Sequence, residues 1–207
     1  MTGEAQTPSA ELLRQYSLAG GYASDVADIA NQRGQTKEAI AVLAHWLTNL
    51  ESLWPGDETP DRHLTRLSLI RALGNRKARG TAAVPALISQ FDTGREANSL
   101  ILWTAGNSLY DIPADDSYFG DMAKIAGNRE LGGDRQMVVN WFGKSQKPEA
   151  ATVVLSQLDD ESVLGHALDA LSKLRAQGVR DQVEPFLRSK NKWHRRSAER
   201  ILRYLND

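Results

Sequence analysis

The chain has no cysteine. That excludes disulfides, thiol nucleophiles and sulfur-ligated zinc. It has no apolar run approaching the roughly 20 residues needed to cross a bilayer, and no alternating β-branched stretch outside a helical frame. Residues 1–30 carry Glu4, Glu11, Asp25 and Asp28 and lack a basic head followed by an apolar run. The expectation is therefore no secretory leader, no membrane partner and a cytoplasmic location. His45, His63, His166 and His194 are too far apart for paired metal ligation. Asp111, Asp115, Asp116 and Asp121 do not match a calcium-loop spacing. Gly127–Gly133 is glycine-rich but has no Lys-Ser/Thr ending, and no serine sits in a nucleophile-elbow phrase. No catalytic residue, metal or cofactor is expected.

What the chain does have is recurrence. Leu73, Leu109, Phe142, Leu171 and Leu202 each close a similar apolar run, at intervals of 29 to 36 residues. A period in that range marks a stacked array of helical units. One helix pair cannot bury its apolar stripe alone, but neighbouring pairs can bury each other's. The hydrophobic fraction of 41% is enough for a continuous core, and the charged fraction of 25% argues against wholesale disorder.

Punctuation divides the chain into helices. Residues 1–8 read as a frayed end, with a helix from Ser9 to Gly20-Gly21 and a short one over 24–32 ending at Gly34. Thr36 caps a helix whose Ala39, Ile40, Leu43, Leu47 and Leu50 share one face. The stretch Pro55–Asp61, with two prolines and no apolar residue, is a break. Beyond it helices are expected at 64–73, 82–91, 96–110, 118–126, 134–142, 149–158, 163–174, 179–187 and 193–205. The turns between them include Asp92-Thr93-Gly94, Gly132-Gly133, Asp159-Asp160 and Lys190-Asn191. The domain expectation is N-terminal capping helices over 1–60 and a repeat array over 61–207.

Two phrases make the pattern more specific. Val84-Pro85-Ala86-Leu87 runs on to Phe91-Asp92, and Leu155–Asp160 precedes a helix over Val163–Leu174. Ile101–Leu109 and Trp193–Leu205 follow the same form. Over residues 61–207 the chain resembles the HEAT-repeat superfamily, especially the short HEAT-like repeats of bacterial proteins related to phycobilisome lyases. The repeat around Phe142 departs most, with Asn140-Trp141 where small residues are usual. Residues 30–40 also hint at one tetratricopeptide-like unit. The resemblance implies an all-α fold: a right-handed α-solenoid of stacked antiparallel helix pairs, HEAT-like with an ARM-type superhelix.

The resemblance also implies that second helices line a concave face. Aligning them gives one column of Arg66, Leu102, Arg135, Leu164 and Arg195 and another of Arg71, Asn107, Asn140, Asp169 and Arg200. The expected partner-binding residues are Arg66, Arg71, Trp103, Asn107, Arg135, Asn140, Trp141 and Asp169. For Arg66 and Arg135 a structural role competes, bonding acids or turn carbonyls of a neighbouring repeat. Trp141 is the candidate anchor, while Trp46 and Trp103 lie near apolar stripes and read as core.

Charge is unevenly placed. Residues 1–60 hold three cations against eight acids, and residues 173–207 hold ten against four. The C-terminal excess forms a basic patch of Lys190, Lys192, Arg195, Arg196, Arg200 and Arg203, with Trp193 and His194 interleaved. Such a patch caps the array with a polar face or binds phosphates and acidic protein. Trp193 is expected to staple the last helix to Phe186. The favoured function is a non-enzymatic protein-interaction scaffold. The alternative is DNA binding, with Trp103, Trp141, Arg135 and Asp169 cast as in an alkylpurine DNA glycosylase. A bilin lyase rests on the repeat name alone.

Overall fold

A computed structural model describes residues 7–32, 35–92 and 98–205. Expectations for residues 1–6, Arg33-Gly34, 93–97 and 206–207, which include the Thr93-Gly94 turn and the helix end at Gly34, lie outside the described residues. Among the described residues there are thirteen α-helices and no strand. The chain divides into two compact units, Met1–Ile112 and Pro113–Asp207. The break over residues 55–60 lies inside the first of them.

The first unit holds α1 Pro8–Leu18, α2 Val26–Ile29, α3 Lys37–Thr48, α4 Leu50–Leu53, α5 Pro60–Leu73, α6 Ala83–Ile88 and α7 Ser99–Asp111. Local chemistry sets their starts. The Thr7 hydroxyl accepts from the Ala10 amide, so α1 begins at Pro8 rather than at Ser9. Thr36 accepts from Ala39 at 3.0 Å, as expected of a cap. Thr59 caps α5 with Pro60 in its first turn, where a missing N–H does no harm.

The packing is serial. α1 lies on α3, and α3 on α6; α2 lies on α5, and α5 on α7. First helices thus touch first helices, and second helices touch second helices. α1 and α2 stand to α3 and α5 as these do to α6 and α7. Trp46 on α3 is core, as expected, with its indole N–H donating to Gln15 Oε1 at 2.9 Å. α5 is covered on almost every side: Thr65 to Ile70 are all buried. At its end Gly74 allows a close approach. A β-carbon there would come within 2.9 Å of Ser108 Cα on α7.

The second unit holds α8 Phe119–Gly127, α9 Gln136–Trp141, α10 Ala150–Leu155, α11 Leu164–Leu174, α12 Arg180–Val183 and α13 Lys192–Tyr204. α9, α11 and α13 pack in series, while α8, α10 and α12 each lie on their own partner. The first helices are short. α12 gives way to a 3₁₀ turn at Glu184 with Pro185 in its opening, because proline removes a donor the α-ladder needs. α9 is shorter than expected, since Arg129–Arg135 is 3₁₀ and contains Gly132 at φ 49°.

Candidate functional site

The second helices carry most of the expected site residues, and the structure sorts them into buried and exposed groups. In the first unit Arg66 is interior. Its Nε and Nη2 meet both carboxylate oxygens of Glu58 at 2.8 and 2.9 Å, and Nη2 lies 3.1 Å from Glu51. Arg62, one turn earlier, pairs with Glu58 at 3.2 Å and donates to the Gly56 carbonyl. The break over 55–61 therefore covers two buried guanidinium groups with the Glu58 carboxylate and the Gly56 carbonyl. Burial pushes Arg66 down, but Glu58 and Glu51 outweigh it and raise its pKa overall. The Arg66 hydrogen bond holds Glu58 below the usual carboxylate range.

The outer side of the same helices is different in kind. Arg71 on α5 is exposed. Trp103 on α7 is 43% exposed, with the exposed Leu100 one turn before it, and Leu64 on α5, in sequence register with Leu100, is exposed as well. This corrects the expectation that Trp103 is core. Asn107 is half-buried and donates to the Trp103 carbonyl at 2.7 Å. Apolar side chains left in water beside an arginine and an amide have the composition of a binding surface.

In the second unit Arg135 is fully buried. Its Nη1 donates to Gln157 Oε1 at 2.7 Å and to the Ala126 carbonyl, and its Nη2 to Asp160. It ties the end of α8 to the turn between α10 and α11. Burial lowers its pKa, with Asp160 opposing, yet a guanidinium remains charged. Trp141 is only 4% exposed and stands edge-on to Phe142, centroids 5.3 Å apart; Phe142 is edge-on to Phe119 at the same distance. Trp141 is therefore no projecting anchor. Burial removes Arg66, Arg135, Asn140 and Trp141 from any surface, because each is enclosed by its own unit.

Asn140 instead starts a cross-helix chain. Its Oδ1 accepts from Lys173 Nζ at 2.8 Å; Lys173 pairs with Asp169 at 3.1 Å, and Asp169 with Arg200 at 3.4 Å. α9, α11 and α13 are laced together by the very column aligned from sequence. Lys173 was not foreseen, though its position four residues after Asp169 on one helix face is the available signal.

The basic patch is partly committed. Arg195 is half-buried and donates to the Ser189 and Lys190 carbonyls at 2.6 and 2.9 Å, closing the loop before α13. Lys190, Lys192, Arg196 and Arg203 are exposed. Trp193 stands edge-on to His166 at 5.0 Å, over Gly165, where a β-carbon would fall 2.2 Å from the indole. Burial lowers the His166 pKa, Asp169 opposing.

Among the described residues no group of three or more His, Asp or Glu is arranged to hold a metal. No helix among them is long and apolar enough to cross a membrane.

No family model matches the sequence, and no curated protein is similar to it. Among solved structures the chain is similar to the designed armadillo repeat protein YIII(Dq)4CqI. The identity is 15% and the TM-score 0.51, with 87% of this chain and 98% of that one covered. At such identity the likeness speaks to fold alone. Together with the serial packing inside each unit, it shows that the chain has an all-α helical-repeat solenoid fold.

Proposed function

We propose that the chain is a non-enzymatic scaffold, HEAT-like in kind, that binds another protein through the exposed side of its second helices. The observation that carries this reading is the half-exposed Trp103 on α7, with Leu100 beside it and Leu64 and Arg71 on the neighbouring α5. Tryptophan and arginine are among the residues that dominate interface energetics when covered. Asn107 is placed by this reading at the edge of the contact. The test is capture of a partner from the native cell, compared across variants. Trp103→Ala should lower affinity by about 2 kcal/mol or more, while Arg196→Ala leaves it unchanged. Equal capture by wild type and Trp103→Ala would overturn the proposal.

A second reading has its own observation: α13 sets Lys192, Arg196 and Arg203 on its exposed side with Trp193 beside them. This supports backbone contact with nucleic acid. Binding of a labelled duplex would then weaken with salt, by a slope of about 0.9 per phosphate neutralised. Absence of binding at low salt removes this reading. A glycosylase-like site has no such support, since Arg135 and Trp141 are enclosed.

A further inference from the structure

The start of α13 holds an aromatic ring that is both fixed and open. Trp193 lies over Gly165 of α11. A β-carbon at 165 would stand 2.2 Å from Cζ3 of the indole and 2.5 and 2.6 Å from the neighbouring Cε3 and Cη2. Distances so nearly equal put that carbon over the face of the ring and not beyond its edge. Any side chain at 165 would therefore lift the indole off α11. His166 meets the ring edge-on at 5.0 Å, and Asn191 Oδ1 accepts from the Trp193 amide at 2.9 Å. With one face taken by Gly165, the side chain is still 40% exposed. It is a preset apolar plate whose outer side is in water.

Cations follow the ring in order. α13 carries five Lys and Arg against one acid, Glu199. Arg195 closes the preceding loop, and Arg200 is held by Asp169. Lys192, Arg196 and Arg203 are exposed. Their spacing of four and then seven residues, one turn and two, keeps them on one line of the helix. From Trp193 to Arg203 that line runs about 15 Å.

We infer that α13 binds single-stranded nucleic acid, stacking one unpaired base on the Trp193 indole while Lys192, Arg196 and Arg203 meet the phosphates that follow. This rests on the nucleic-acid reading of the basic patch and narrows it from duplex to single strand. In a duplex each base is already stacked and paired and offers no face to a protein ring. A single strand supplies a π-face and a phosphate with every unit. A run of acidic residues would match the cations and leave the indole in water; an unpaired nucleotide satisfies both.

The test uses the full chain and a short labelled oligothymidylate, alone or annealed to its complement, followed by fluorescence anisotropy at low ionic strength. The single strand should bind more tightly than the duplex. Trp193→Ala should weaken single-strand binding about tenfold, the loss of one base stack. Trp193→Leu, which keeps an apolar cover on Gly165 but has no aromatic face, should lose as much, and Trp193→Phe should keep most of the binding. Arg196→Gln and Arg203→Gln should each lower the salt slope by about 0.7. Trp103→Ala, in the first unit, should change nothing. Duplex bound as tightly as single strand, or full binding by Trp193→Leu where Arg196→Gln is weakened, would overturn the inference and leave the backbone-contact reading standing. Polyglutamate bound as tightly as the oligonucleotide would overturn both in favour of an acidic protein. No binding of either nucleic acid at low salt would overturn both as well.

Discussion

The two units treat the outer side of their second helices in opposite ways. In the second unit that side is used up internally: Asn140, Lys173, Asp169 and Arg200 bond across three helices, and Trp193 covers Gly165 and His166. In the first unit α5 buries Arg62 and Arg66 inward, and α5 and α7 leave Leu64, Arg71, Leu100 and Trp103 to the solvent. One repeat grammar therefore yields a laced face and an open face. The difference shows that a polar column in a helical-repeat sequence does not by itself mark a ligand ladder. The same residues can serve as cross-helix ties.

The strongest way to break the comparison is through the tryptophans. Trp141→Ala should cost about 3–5 kcal/mol in urea unfolding, whereas Trp103→Ala should cost under about 1, since an exposed side chain away from the core rarely contributes more. Equal losses would mean that the two rings are equally buried.

The arginines sharpen it next. Arg135→Ala leaves Gln157 Oε1 and the Ala126 carbonyl without their donor and takes the cation from Asp160, which keeps only its Ser162 hydrogen bonds, and should cost about 3–5 kcal/mol. Arg66→Ala should cost less, about 1–3, because Glu58 and Glu51 are partly exposed and rehydrate. A larger loss for Arg66 would reverse the ranking of the two sites.

How much of this was legible in the sequence depends on where the helical phase holds. The helices and their caps follow from periodicity and from residues such as Thr36 and Thr59. The structural role weighed for Arg135, bonding an acid of a neighbouring repeat, is the one it fills at Asp160. Trp141 was misread for a physical reason. It was read as projecting because a large ring stands where small residues are usual, but the ring is instead packed inside the unit, edge-on to Phe142. Trp103 sits in an unbroken helix, but an apolar stripe in sequence cannot say whether a neighbour covers it. The structural role weighed for Arg66 holds, but its main acid, Glu58, was hidden because it lies in a segment that reads as a plain break.

Close packing gives a smaller contrast. Gly74→Ala presses a β-carbon against the Ser108 backbone, and Gly165→Ala presses one against the movable Trp193 ring. Both should destabilise by about 1–3 kcal/mol, with Gly74→Ala the worse, as thermal melting would show.

Acid should separate the units by pH. His166 has a folded pKa below its ordinary 6.5, so the unfolded chain binds the extra proton first. Its contribution is complete above about 6.5 and is lost as pH falls toward the folded value. Glu58 is also lowered, from 4.5, so its contribution is complete above that value and is lost only in stronger acid. Hydrogen exchange should therefore show α11 and α13 loosening at mildly acidic pH while α5 holds, and His166→Phe should remove the early phase. The smallest effect is expected at Arg175, which ends α11 at φ 48°. Arg175→Gly should stabilise by up to about 1 kcal/mol, read as a small rise in urea midpoint.

Cross-linking from a photoreactive residue tests the open-face account most directly. Placed at position 103, it should form a covalent adduct with a discrete protein in the native cell, and placed at position 200, on the laced face, it should form none. Adducts from position 200 with none from position 103 would contradict the account.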